Sequence, residues 1–255
     1  MIDTHCHLYA DELMPDIDAV LCRAAEAGIN KFYLPAIDST TTAAMLKMEE
    51  LYAGKCFAMI GLHPCSVKND CLNELDNIRA LLEQRNFAAI GETGLDFYWD
   101  TTYKKEQYFA LEKQIELALK YKLPLVLHTR NAMQETIDVI KNYRHTELKG
   151  IFHCFGGSLH EAHQIIECGF LLGIGGVVTY KKSGLPEVVA EIDMQHIVLE
   201  TDAPYLSPVP YRGKRNESSY MIEVAKKIAE IKNISVTEVD RITTSNAEKC
   251  FPALL

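Results

Sequence analysis

Eight short β-rich runs alternate with helical patterns along the 255-residue chain, and no low-complexity or Gly/Ser/Pro-rich stretch separates them. The runs cover residues 1–5, 31–37, 56–62, 87–92, 124–128, 150–153, 170–174 and 196–200. Helical patterns fall between them. Residues 15–27 end at Gly28, a natural helix stop, and 102–121 repeat apolar residues every three or four positions; two more helices, 216–231 and 235–249, close the chain. Strands that alternate with helices require parallel crossovers, and eight such units closing on themselves form an α/β fold, the (β/α)8 TIM barrel. An open doubly wound sheet is the other arrangement this pattern allows. Barrels of this kind use about 200 to 250 residues as one unit, so residues 1–255 are expected to form one domain.

The ends of these runs carry the chemistry. His5 and His7, His63, Glu92, His128, His153 and Asp202 each sit at or just beyond the C-terminal end of a run. In a barrel those ends converge on one mouth, which is where barrel enzymes place their catalytic groups. In His5-Cys6-His7, residues two apart on a strand share a face, so both imidazoles can serve one ion while Cys6 turns towards the helices. Glu92, in IGETGLD, has two carboxylate oxygens that can bridge two cations about 3.5 to 4 Å apart. A helix cap or an ion pair would be the plainer use of such a glutamate, but a buried strand end needs a strong reason to carry charge.

His128 in PLVLHTR and His153 in GIFHCFGG follow apolar strand cores and suit a second ion. Asp202 in LETDAP is expected to ligate one metal and to accept the proton of the attacking water. Catalytic roles therefore fall to Asp202, Glu92 and His63. His63 in IGLHP is read as a substrate-facing or ligand-orienting residue, and Glu200, two before Asp202, as a residue that orients a ligand. Cys154 is expected to point outward into the core. His145, His160, His163 and His196 lie on helices or ahead of a strand and read as structural or solvated.

The expected cofactor is a pair of divalent ions. Donor type suits zinc, manganese or iron, whereas magnesium favours more oxygen ligands. Basic residues cluster where barrels hold phosphate: Arg130 after the fifth run, Lys181 and Lys182 after the seventh, and Arg212, Lys214 and Arg215 after the eighth. Arg130, Arg212 and Arg215, with His63, are the expected substrate-binding residues; Lys181 and Lys182 read equally well as a solvated run.

Composition narrows the setting. Hydrophobic residues at 48% and charged residues at 24% suit a large globular core and exclude disorder. A net charge of −9 opposes a general polyanion-binding surface, so an anionic substrate must be met locally. The opening MIDTHCHLYADELMPD lacks the basic flank and apolar run of a signal peptide, no later run approaches a membrane span, and the eight cysteines include no CxxC pair. A cytoplasmic protein with reduced thiols and no membrane association is expected, and no obligate protein partner can be read from the sequence.

In order, DTHCHL, GLHP, IGETGLDFY, LHTR, FHCF, LETDAPYLSP and YRGKRNE resemble the TatD family of metal-dependent deoxyribonucleases, from Asp3 nearly to the C-terminus. The resemblance implies that His5, His7, Glu92, His128, His153 and Asp202 ligate metal and that His63 lines the site. It also implies phosphodiester hydrolysis of DNA, exonucleolytic on single-stranded ends, with strand ends as the partner. Two departures stand out: Ser218, where RGKRNE usually continues into proline, and LGIGGVVTYKK in place of a phenylalanine-serine-glycine wording. Both lie in loops expected to touch substrate. The same water chemistry could serve another ester or an amide, such as a lactone or an aminoacyl ester on tRNA.

Overall fold

The computed structural model describes residues 1–251. Strands and helices alternate as β1 (Ile2–Asp3), α1 (Ile17–Glu26), β2 (Lys31–Leu34), α2 (Ser39–Leu51), β3 (Cys56–Ala58), α3 (Cys71–Gln84), β4 (Ile90–Asp96), α4 (Lys104–Tyr121) and β5 (Leu125–Arg130). They continue as α5 (Met133–Lys141), β6 (Gly150–Phe152), α6 (Leu159–Glu167), β7 (Phe170–Ile174), α7 (Leu185–Glu191) and β8 (Ile197–Leu199), followed by α8 (Met221–Lys232) and α9 (Val236–Cys250).

All strand pairs are parallel, in two hydrogen-bonded sets, β1-β2-β3 and β4 to β8. Backbone bonds close both seams. At one, Ile60 bridges Ile90, and the Gly91 N–H donates to the Ile60 carbonyl at 2.9 Å. At the other, the Thr4 N–H donates to the Leu199 carbonyl at 3.0 Å and the Asp202 N–H to that of His5 at 2.9 Å. The strands thus form a ring in sequence order, the closed TIM barrel.

Two hydrophobic layers hold it. Between strands and helices lies the larger core, with Phe32, Phe152 and Phe170 fully buried, each such side chain stabilising the fold by about 1.5 to 3 kcal/mol. Inside the ring sit Ile2, Tyr33, Met59, Val126, Ile151 and Val198, closed off at the N-terminal end by Phe251, whose ring stacks on Tyr33 at 3.7 Å. The period of two then does functional work. Two residues on from Val126, Ile151 and Val198 come His128, His153 and Glu200, so the inward face changes from apolar floor to polar site at the strand ends. Helix starts are secured locally: Asp38 and Ser158 each make a reciprocal capping box, worth about 1 kcal/mol.

Boundaries differ from the sequence expectation in one place that matters. β4 does not stop at Glu92 but runs on to Asp96, paired with Arg130 of β5. Gly94 makes this possible: its φ is +143°, and a Cβ there would collide with the His128 carbonyl. Among the described residues no helix is long and apolar enough to cross a membrane.

Candidate metal centre

Glu92 occupies the middle of the mouth, 3% exposed, and its two oxygens face different partners. Oε2 lies 3.3 Å from His5 Nε2 and 3.8 Å from His7 Nε2. Oε1 lies 2.8 Å from His153 Nε2, 2.9 Å from His128 Nδ1 and 3.4 Å from His63 Nε2. Asp202, just past β8, joins the first group, with Oδ1 3.7 Å from His5 Nε2 and 3.6 Å from His7 Nε2.

Neighbouring groups decide which ring nitrogens are bare. The Tyr9 hydroxyl donates its one proton to the Pro35 carbonyl at 2.6 Å, so at 3.0 Å from His7 Nδ1 it must accept; Nδ1 carries the hydrogen and Nε2 is left as a lone pair. Asp96 Oδ2, 2.9 Å from His128 Nε2, accepts from that nitrogen and turns Nδ1 towards Glu92. His63 is the reverse case. Its Nδ1 accepts the Cys65 N–H at 3.0 Å, so its Nε2 bears the proton and points a donor into the site. Distance alone would admit His63 as a ligand with Glu92 and His128, but the backbone bond on Nδ1 argues against it.

The donor set fits divalent cations. Donor atoms of His5, His7 and Glu92, and likewise of His5, His153 and Asp202, lie within 4.8 Å of one another. Separations of 3.3 to 3.8 Å between the His5 and His7 nitrogens and the carboxylates are too long for good hydrogen bonds. Both His5 nitrogens, His153 Nδ1 and Glu200 Oε2 are buried with no hydrogen-bond partner among the described residues, a cost proteins rarely accept. Burial pushes the His5 imidazole below its ordinary pKa, which leaves it neutral and able to donate a lone pair. Burial also opposes charge on Glu92, yet His153, His63 and His5 hold its carboxyl well below the usual range. His153 moves the other way: burial would lower it, and Glu92 and Glu200 carry it well up. The negative field that holds a proton there is the field a cation would neutralise.

The surrounding cavity measures about 680 Å³ and includes His7, His63, Glu92, His128, His153 and Asp202 in its wall. Glu200 is fully buried behind it, 3.5 Å from His153 Nδ1 and accepting the Cys154 N–H at 2.5 Å. Arg130 lines the cavity; Arg212 does not, and stacks over Tyr180 at 4.1 Å. Lys181, Lys182 and Lys214 are exposed, as are His145, His160 and His163, with His196 half-buried.

Three expectations need correction. Arg215 is not in the cavity wall, and its Nη1 and Nη2 lie 2.6 and 2.9 Å from Asp16, with a further bond to the Glu12 carbonyl, so its charge is already paired. Cys154 is in the cavity wall rather than the core, because β6 ends at Phe152 and the backbone at Cys154 turns to φ 48°, breaking the strand alternation. Ser218 lies buried under the site instead of facing substrate. Its hydroxyl donates to Asp3 Oδ2 at 2.7 Å, alongside Thr201, while burial pushes Asp3 up to about 7 against those bonds. Asp96 and the aromatic residues of the rim went unnoticed in the sequence.

A family pattern described as TatD related DNase matches residues 2–252. The chain belongs to the TatD family. An uncharacterized metal-dependent hydrolase of Bacillus subtilis, YabD, is 37% identical over 252 residues, 98% of each chain. YcfH of Escherichia coli, also an uncharacterized metal-dependent hydrolase, is 31% identical over 98% of this chain and 95% of its own. The crystal structure of YjjV, a TatD homolog from Escherichia coli, superposes with a TM-score of 0.93 at 30% identity, covering 100% of this chain and 98% of that one. This TatD-family protein is accordingly a metal-dependent hydrolase on a TIM barrel.

Proposed function

We propose that this TatD-family hydrolase cleaves phosphodiester bonds of DNA, exonucleolytically at single-stranded ends, using two divalent ions. The observation that carries the reading is Glu92, whose two oxygens divide the donors into a His5, His7 and Asp202 group and a His128 and His153 group. When bound, the ions would polarise the phosphoryl group and make a water acidic near neutral pH. Burial opposes charge on Asp202, yet the His153 and His5 imidazoles near it keep its carboxyl below the usual range, so it would be ready to accept the proton of a water in the cavity. His63 presents Nε2–H to a phosphoryl oxygen, and Arg130 supplies a cation at the cavity wall. All eight cysteines are free, which supports a reducing compartment such as the cytoplasm.

The engagement of Arg215 by Asp16 removes one cation from the substrate side, and this favours a second reading: hydrolysis of a less charged ester or amide, a lactone or an aminoacyl ester on tRNA. The deciding experiment incubates the protein with end-labelled single-stranded DNA and, separately, with simple esters and lactones, each with added metal and with chelator. Metal-dependent release of nucleotides from one end supports the nuclease reading; ester turnover with intact DNA overturns it.

A further inference from the structure

The rim of the cavity carries exposed apolar side chains. Among the described residues nine large hydrophobic side chains are exposed, and three of them, Trp99 (67%), Tyr205 (49%) and Leu206 (41%), line this cavity. Trp99 and its neighbour Tyr98 follow β4, while Tyr205 and Leu206 follow β8. In a ring of eight strands β4 and β8 are opposite, so the two apolar groups face one another across the mouth.

The β4 side is built rather than loose. Both the Tyr98 and Trp99 N–H groups donate to Asp96 Oδ1, at 2.9 and 3.2 Å, and the other oxygen of Asp96 accepts from His128 Nε2. One carboxylate therefore sets the indole in register with a candidate metal ligand. Tyr98 and Trp99 pack edge to face at 4.8 Å, and the Arg130 guanidinium lies 3.9 Å from the Tyr98 ring centre and 5.0 Å from that of Trp99. Arg130 has no ion pair or side-chain hydrogen bond among the described residues, so its in-plane N–H groups are available to an anion while its face is occupied.

We propose that Trp99 is the stacking seat of the unpaired terminal nucleobase and that Arg130 beside it holds the phosphate next to that base. The assignment rests on the phosphodiesterase reading and gives that reading a physical ground for a single-stranded end: a base within a duplex has both faces covered by its neighbours and has none to offer the indole. Stacking of this kind is tolerant of sequence because every base has a π-face.

Trp99 is the one tryptophan of the chain, so its fluorescence reports the contact directly. Protein kept metal-free with chelator is titrated with a short oligothymidylate and with an analogue of equal length and charge whose terminal residue is abasic. Saturable quenching by the first is expected, with binding of the second about tenfold weaker. With metal restored, Trp99→Ala should raise KM about tenfold for the ordinary end and add nothing for the abasic end, Trp99→Phe should restore most of the loss, and Arg130→Ala should weaken both substrates alike. Hydrolysis of the oligonucleotide without quenching, or an equal KM penalty of Trp99→Ala on both ends, overturns the stacking seat and leaves the nuclease reading intact. Quenching without hydrolysis keeps the seat and removes the nuclease reading; the absence of both removes the two together.

Discussion

Asp96 Oδ2 lies 2.9 Å from His128 Nε2, and this bond fixes the imidazole so that Nδ1 faces Glu92. A histidine that ligates through one nitrogen usually gives the other to a carboxylate, which sets its tautomer and raises its basicity. Asp96→Asn removes the charge while keeping the shape. Metal affinity should fall about 10- to 100-fold, the ordinary cost of losing such a partner. Competition titration against a fluorescent chelator reads this, and affinity within twofold of wild type would strip Asp96 of the role.

Metal should also stabilise the fold. His5 has both nitrogens buried and unpartnered, and a ligand that binds only the folded state adds about 2.7 kcal/mol at a hundred times its Kd. For a chain of this size that is a rise in Tm on the order of 5 to 10 °C. Melting curves with chelator and with zinc or manganese measure it. Identical curves for the wild type would contradict the fit of the donor set, and His5→Ala should abolish most of the rise.

Arg215→Ala now carries the opposite expectation from a phosphate contact. Its guanidinium is paired with Asp16 and with the Glu12 carbonyl, tying the loop after β8 to the region just before α1. Exposed pairs contribute little, so Tm should drop by no more than a few degrees and KM for oligonucleotide should stay at the wild-type value. A large rise in KM at unchanged Tm would show that the pair opens to meet substrate.

Gly173→Ala probes the layer beneath the ligands. A Cβ at Gly173 would collide with Glu200 Oε2 and stand 3.1 Å from His153 Cα. Glu200 is fully buried, and its Oε1 accepts the Cys154 N–H and lies 3.5 Å from His153 Nδ1, so a shift of this side chain disturbs both. Overpacking of this kind costs about 1 to 3 kcal/mol, and metal content should fall with stability. Denaturant melts and metal analysis on the same preparation check it; wild-type values in both would mean that Glu200 shifts freely.

The residues that were legible from sequence are those whose position follows from the period of two along a strand. Val126 to His128 and Ile151 to His153 are such steps, and they put ligands at the mouth once the barrel closes. Asp96 obeys the same rule, since Glu92, Gly94 and Asp96 share parity on β4, but Thr93-Gly94 reads as a turn and hides the continuation of the strand. Cys154 was misplaced because a single left-handed residue breaks the period. The pairing of Arg215 is hidden for another reason: its partner Asp16 is 199 residues away, and a local run of basic residues says nothing about which of them is already paired.

The final prediction concerns Asp202. Its Oδ1 lies 3.7 and 3.6 Å from the Nε2 atoms of His5 and His7, and its side chain keeps 15% exposure, so one oxygen can serve a cation while the carboxylate still meets water at the cavity wall. The backbone supports this placement: the Asp202 N–H donates to the His5 carbonyl at 2.9 Å, fixing the residue across the β8–β1 seam. Asp202→Asn preserves that frame and one carbonyl oxygen for coordination, but an amide cannot take up a proton at neutral pH. Turnover should fall at least about a hundredfold, with the larger share of the loss in kcat, since the missing interaction is made as the water attacks. His63 is poorly placed to substitute, because its Nδ1 accepts the Cys65 N–H and its Nε2 already bears a hydrogen. Metal analysis and steady-state kinetics on the purified variant, with the same ion in the buffer, provide the test. A variant that holds as much metal as wild type and also keeps near-wild-type kcat would show that the proton leaves by a route that does not involve Asp202.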